Sequence, residues 1–126
     1  MEIKDITAAN IKAIADKQRL KSEALGDKSG LSQRTAYRLM TVDADSRNPN
    51  LKSLEAVSKG LDIEIWKLFF ENMPIELFED KNLNQLIKLY SQCSEKNRTE
   101  IFEQIEKIAT TDQMEKRLIE LEEKSE

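Results

Sequence analysis

The sequence predicts an all-α chain, and three observations carry that prediction. Glycine and proline together occupy only five of the 126 positions, while Glu, Lys, Leu and Ile are plentiful, the composition of helices rather than of sandwiches or barrels. Apolar residues recur at spacings of three and four along most of the chain. Ser, Thr, Asn, Asp and Gly stand where such runs start and stop.

Taken in order, Thr7 reads as the cap of a first helix that turns Ile11, Ile14 and Ala15 to one face and carries Lys17 and Arg19 in its last turn. Ser22 to Lys28 reads as a short second helix around Ala24 and Leu25, broken at Ser29-Gly30, where Gly30 suits a left-handed residue. Ser32 is a good cap for a third helix, Gln33 to Met40, with Ala36 and Leu39 inward. Residues 43–50 form a polar loop closed by Pro49. A fourth helix follows with Leu51, Leu54, Val57 and Leu61 on its apolar side and Gly60 at its end. The fifth spans about Ile63 to Glu71 and buries Ile65, Trp66, Phe69 and Phe70.

Met73-Pro74 is the expected junction, giving a head of residues 1–73 and a tail of residues 74–126. Asp80 or Asn82 caps a tail helix with Leu83, Leu86, Ile87 and Tyr90 on one stripe. Ser94 caps the next, in which Ile101, Ile105 and Ile108 align with Phe102 and Ala109 beside them. Thr110-Thr111-Asp112 is either a break or a weak spot in one long helix; beyond it Met114, Leu118 and Leu121 repeat at the coiled-coil spacings of four and three.

Charge separates the two parts. The head holds 12 basic and 11 acidic residues, a net of +1; the tail holds 8 and 13, a net of -5; the whole chain stands at -4. Between Lys28 and Val42 there are three basic residues and no acid. Histidine is absent and Cys93 is the only cysteine, which excludes an intrachain disulfide framework, a histidine metal site and a histidine-dependent triad. No phosphate-cradling glycine loop is present, so an enzyme is the weakest class. Nothing resembles a signal peptide or a membrane span, and the expectation is a cytoplasmic protein with no cofactor and no metal. Trp66 with Phe69 reads as core rather than as a stacking platform, Cys93 as a buried spectator, and the pairs Glu79-Asp80 and Glu122-Glu123 as solvated.

The informative unit is the second and third helices with the tight turn Ser29-Gly30-Leu31 between them, a helix-turn-helix pattern in which Leu31 plugs the corner. It leaves Gln33, Arg34, Thr35, Tyr37 and Arg38 outward at the start of the third helix. Gln can pair bidentately with adenine and Arg with guanine, so this surface suits a DNA major groove.

Residues 10–70 resemble the lambda-repressor-like, Xre-type helix-turn-helix domain of phage and bacterial repressors. The resemblance runs through Leu20 to Leu39 with its Ser32-Gln33-Arg34-Thr35 helix start. It continues through Asn48 to Leu61 with Pro49-x-Leu51-x-x-Leu54, and ends at Ile65-Trp66-Lys67-Leu68. It implies a five-helix domain binding operator DNA as a dimer, followed here by a C-terminal helical oligomerisation segment. It places Gln33, Arg34, Tyr37 and Arg38 at base-contacting positions, and Ser32 and Thr35 against the backbone. Lys21, Ser22, Lys28, Arg47 and Asn48 are further expected phosphate contacts. Three departures stand out. Lys21 and Ser22 occupy positions where the family has Ser or Thr and then Gln. Gly26 replaces a small Ala. The loop after the third helix is longer and carries Asp43 and Asp45, which should lean away from phosphate.

The tail stripes must be buried on the head, on a second copy or on a foreign protein. A second copy explains most, with Leu83, Leu86, Ile87, Tyr90, Ile101, Ile105, Ile108, Leu118 and Leu121 as the dimerisation set. The leading expectation is therefore a homodimeric, sequence-specific repressor on double-stranded DNA, relieved by an antirepressor or another protein. The alternative is an antitoxin or inhibitor whose tail binds a different protein.

Overall fold

The computed structural model describes residues 2–42 and 48–125, and every regular element in them is helical. The elements are α1 (Ile3–Lys17), α2 (Ser22–Ser29), α3 (Gln33–Met40), α4 (Leu51–Leu61), 3-10 turns at Ile65–Phe69 and Ile75–Leu77, α5 (Asn82–Gln92) and α6 (Glu95–Ser125). They fall into two compact units, residues 1–83 and 84–126. The chain is thus all-α, as its composition predicts. No described helix is long and apolar enough to cross a membrane.

In the first unit α2 packs against both α3 and α4, and α1 packs against α3 and the first 3-10 turn. The core is built from Ile11, Ile14, Leu25, Ala36, Val57, Leu61 and Leu68, all essentially without exposure. Polar side chains tie the elements across it. The Asn10 amide donates to the Leu68 and Phe70 carbonyls at 2.8 and 3.0 Å, and Gln18 donates to the Leu61 carbonyl at 2.8 Å. Each bond joins α1 or its C-cap to chain more than 40 residues away and gives a main-chain oxygen a partner.

Lys67 is the least expected member of this core. Its side chain is wholly buried, yet its ammonium donates to the Phe78 carbonyl at 2.8 Å and the Asp80 carbonyl at 2.8 Å, and it lies 2.8 Å from the Glu64 carboxylate. Two carbonyl acceptors and one carboxylate in ion-pair contact surround the ammonium, which is what makes burial of the charge tolerable. Burial works against the Glu64 charge. The Lys67 hydrogen bond, the residue's own backbone N–H and the charges of Lys67 and Lys81 outweigh it, so the carboxyl sits below its ordinary 4.5.

Several sequence expectations need correction. Helix α1 starts four residues before Thr7, whose buried hydroxyl donates back to the Lys4 carbonyl instead of capping. Leu51 is exposed, because as the first residue of α4 it stands off the core. Gly60 lies inside α4, which ends at a left-handed Asp62; a Cβ at Gly60 would sit 2.3 Å from the Ser29 hydroxyl, so its smallness serves the α2–α4 contact. The expected fifth helix is the 3-10 turn, and its tighter winding buries Lys67 and Leu68, half-buries Ile65 and Trp66, and leaves Phe69 and Phe70 exposed. The first unit does not stop at Pro74. Phe78 is buried in its core, and the ion pairs Lys17–Glu79 (3.4 Å) and Lys81–Asp62 (3.5 Å) bind the following residues to it.

The second unit is simpler. Its second helix begins at a cap, Ser94 accepting from the Asn97 N–H at the start of α6, as Asp80 of the first unit accepts from the Asn82 N–H at the start of α5. Arg98 bridges the turn between the helices, donating to the carbonyls of Tyr90 and Ser91. Helix α6 runs unbroken through Thr110 and Thr111, whose hydroxyls donate to the carbonyls of Glu106 and Lys107 within the helix. Cys93 is half-buried rather than buried, with its thiol 3.4 Å from the Leu89 carbonyl.

Candidate nucleic-acid interface

The geometry of α2, its turn and α3 follows from three small residues, Gly26, Gly30 and Ser32, and the apolar Leu31. Gly30 ends α2 at φ 69°, the left-handed region that glycine enters without steric cost. The chain then doubles back so closely that the Leu31 N–H donates to the Gly26 carbonyl at 2.8 Å, and a Cβ on Gly26 would lie 2.8 Å from the Leu31 oxygen. Leu31 is partly buried against the core and fills the corner. Ser32 caps α3 by accepting the Thr35 N–H at 3.1 Å, and its own hydroxyl donates to the Thr35 oxygen at 2.9 Å.

With Ala36 and Leu39 buried, the opposite side of α3 faces outward. Gln33, Arg34, Tyr37 and Arg38 are all exposed. Arg34 lies one turn from Arg38, and Gln33 one turn from Tyr37, so the four make a continuous surface. No acid stands in the first turn of α3, and among the described residues neither Arg is in an ion pair. Arg34 and the positive end of the helix dipole therefore act in one direction, and Arg38 in the last turn adds a second positive charge.

The expected phosphate-contacting residues are placed less uniformly. Lys21 is exposed and Ser22 half-buried at the start of α2, and both line the same groove as Tyr37, of about 550 Å³. Leu20, Met40 and Val42 supply apolar walls of that groove, and Lys12 and Asp16, paired at 3.1 Å, edge it from α1. Lys28 is exposed at the other end of α2, roughly 10 Å along the axis from Lys21. Asn48 is exposed just ahead of α4. Ser32 has its hydroxyl proton engaged by Thr35, whereas the half-buried Thr35 hydroxyl keeps its own proton to give. Arg47 lies outside the described residues, as do Asp43 and Asp45.

The groove is the feature that sequence reasoning misses. Its walls come from α1, α2 and the end of α3, and the residues that line it carry no shared local signal. In the second unit, Leu86, Ile87, Tyr90, Ile105, Ile108, Leu118 and Leu121 are exposed, and Ile101 is half-buried; Leu83 is half-buried at the end of the first. The chain matches no protein-family model, no curated protein and no solved structure.

Proposed function

We propose that the chain is a sequence-specific DNA-binding transcription regulator of the lambda-repressor-like helix-turn-helix kind, acting as a homodimer on an inverted repeat. The observation that carries this reading is the outward face of α3. It presents Gln33, Tyr37 and two arginines in no ion pair among the described residues, held by a glycine turn and a serine cap. On this reading α3 enters the major groove and Gln33 and Arg34 read base edges, with Tyr37 and Arg38 one turn further in. Lys21 and Ser22 at one end of α2, Lys28 at the other, and Thr35 and Asn48 hold phosphates. Occupancy of the operator blocks polymerase.

Selection from a random DNA library at about 150 mM salt tests the proposal. An enriched inverted repeat supports it; no enrichment from folded protein sinks it. Replacing Arg34 with Ala should then weaken binding to the selected site by about 1–3 kcal/mol and relax one base position. Equal losses on selected and random DNA would show that Arg34 does not read a base. A second reading, an antitoxin-like module, draws support from the exposed apolar side chains of α5 and α6. It predicts a purified chain that is monomeric until a different protein is added.

A further inference from the structure

The apolar side chains of α6 do not form one stripe. At about 100° per residue, Ile101, Ile105 and Ile108 share a face, while Met114, Leu118 and Leu121 lie roughly 100–160° round the helix from it. Because α6 is continuous, no break rotates the second set back into line with the first, and one straight seam cannot cover both. The second set is exposed throughout.

The charges beside the second stripe carry an orientation. With Met114 and Leu121 at d and Leu118 at a, Glu115 and Glu122 fall at e and Arg117 and Lys124 at g. In a parallel pair of helices each g residue faces the e residue five positions further along the other chain. Arg117 then meets Glu122 of a second copy, and two-fold symmetry makes the contact twice. In an antiparallel pair g faces g and e faces e, which sets Arg117 against Lys124 and Glu115 against Glu122, repulsive on both flanks. The first stripe encodes no such choice, since Phe102, Gln104, Ala109 and Thr111 flank it without charge.

We propose that the C-terminal part of α6, from Thr111 onward, zips in parallel and in register against the same segment of a second copy, with Arg117–Glu122 contacts setting the direction. The proposal rests on the homodimer reading for its occupant and adds the seam and its polarity. Like charges at these flanks also act against the antiparallel alternative.

Sedimentation equilibrium of the full chain tests it. Arg117→Glu and Glu122→Arg should each weaken dimerisation about tenfold, because two attractive contacts become repulsive. The double swap Arg117→Glu with Glu122→Arg should restore it, and an equimolar mixture of the two single variants should form heterodimers in preference to homodimers. Arg117, Leu121 and Glu122 are all exposed, so folding is not at stake. In a Cys93→Ser background, Leu121→Cys should oxidise to a disulfide with its own copy. A monomeric wild type, a dimer indifferent to the single changes, no recovery in the double swap, or no disulfide from Leu121→Cys each overturns the proposal. The DNA selection reads the regulator proposal separately. Charge-dependent dimers without DNA enrichment would leave the zipper standing and the regulator fallen, and an enriched inverted repeat with charge-indifferent dimers the reverse.

Discussion

The two units treat the same kind of side chain in opposite ways. In residues 1–83 the aliphatic residues of α1, α2 and α4 meet one another, so that Ile11, Ile14, Leu25 and Val57 have no exposure. In residues 84–126 the large apolar residues of α5 and α6 are 39% to 62% exposed, half-buried Ile101 apart. Their helical spacing is as regular as that of the first unit. Amphipathic spacing therefore shows that a face is made to be covered, and where in the chain the cover comes from is separate information. The first unit contains its own cover, and the second leaves its apolar side chains exposed.

The largest way to break this contrast is at Lys67. Substitution by Met keeps the stem but strands the Phe78 and Asp80 carbonyls and leaves Glu64 without its cation. The expected loss is about 3–5 kcal/mol, the range for removing one partner of a buried pair. Trp66 is the only tryptophan and lies in the first unit, so denaturant unfolding followed by its fluorescence reports that unit alone. A loss under about 1 kcal/mol would mean that water reaches these carbonyls readily. Next comes Gly60→Ala. The new methyl would lie 2.3 Å from the Ser29 hydroxyl and 3.2 Å from the Ser29 backbone, so a rotamer change alone does not make room. The same assay should show a loss of about 1–3 kcal/mol.

These two residues also mark the limits of what the sequence makes legible. Ser32 and Gly30 are readable because their chemistry is local: a hydroxyl reaches an N–H three residues on, and a glycine takes a backbone angle that other residues resist. The outward face of α3 is readable because its inward face, Ala36 and Leu39, follows helical spacing. Lys67 is not readable, since the carbonyls that justify its burial lie 11 and 13 residues away. Gly60 resembles a helix stop, and only the approach of α2 shows that it is a packing residue. Thr7 misleads for a related reason: Thr is a capping residue type, but here α1 extends past it and the core encloses it. The rest of the candidate site is legible only in part, because Lys21 and Tyr37 line one groove built from separate helices.

Smaller effects sharpen the comparison. Ser32→Ala removes the α3 cap and should lower the stability of the first unit by about 1 kcal/mol. At Glu64 the effect is pH-dependent and its sign is fixed. Because the folded carboxyl titrates below 4.5, its stabilising contribution is present above about pH 4.5 and is lost as pH falls through the lower folded value. Glu64→Gln should therefore be less stable than wild type at neutral pH, and the two should converge in acid. A constant gap between them down to the lowest pH would mean that the Lys67 contact does not depend on the carboxylate charge.

The smallest expected change on the Trp66 signal is also the most informative about the second unit. Leu118 in α6 is 60% exposed, so Leu118→Ser removes apolar surface that is no part of the first unit's core. Unfolding read by Trp66 should move by no more than about 0.5 kcal/mol, the usual range for a surface position. Sedimentation should nevertheless show weaker self-association, because the stripe it interrupts is one that a second copy can cover. A large shift at Trp66 would contradict the separation of the two units, since a residue so exposed can reach the first unit's stability only through a contact that couples them.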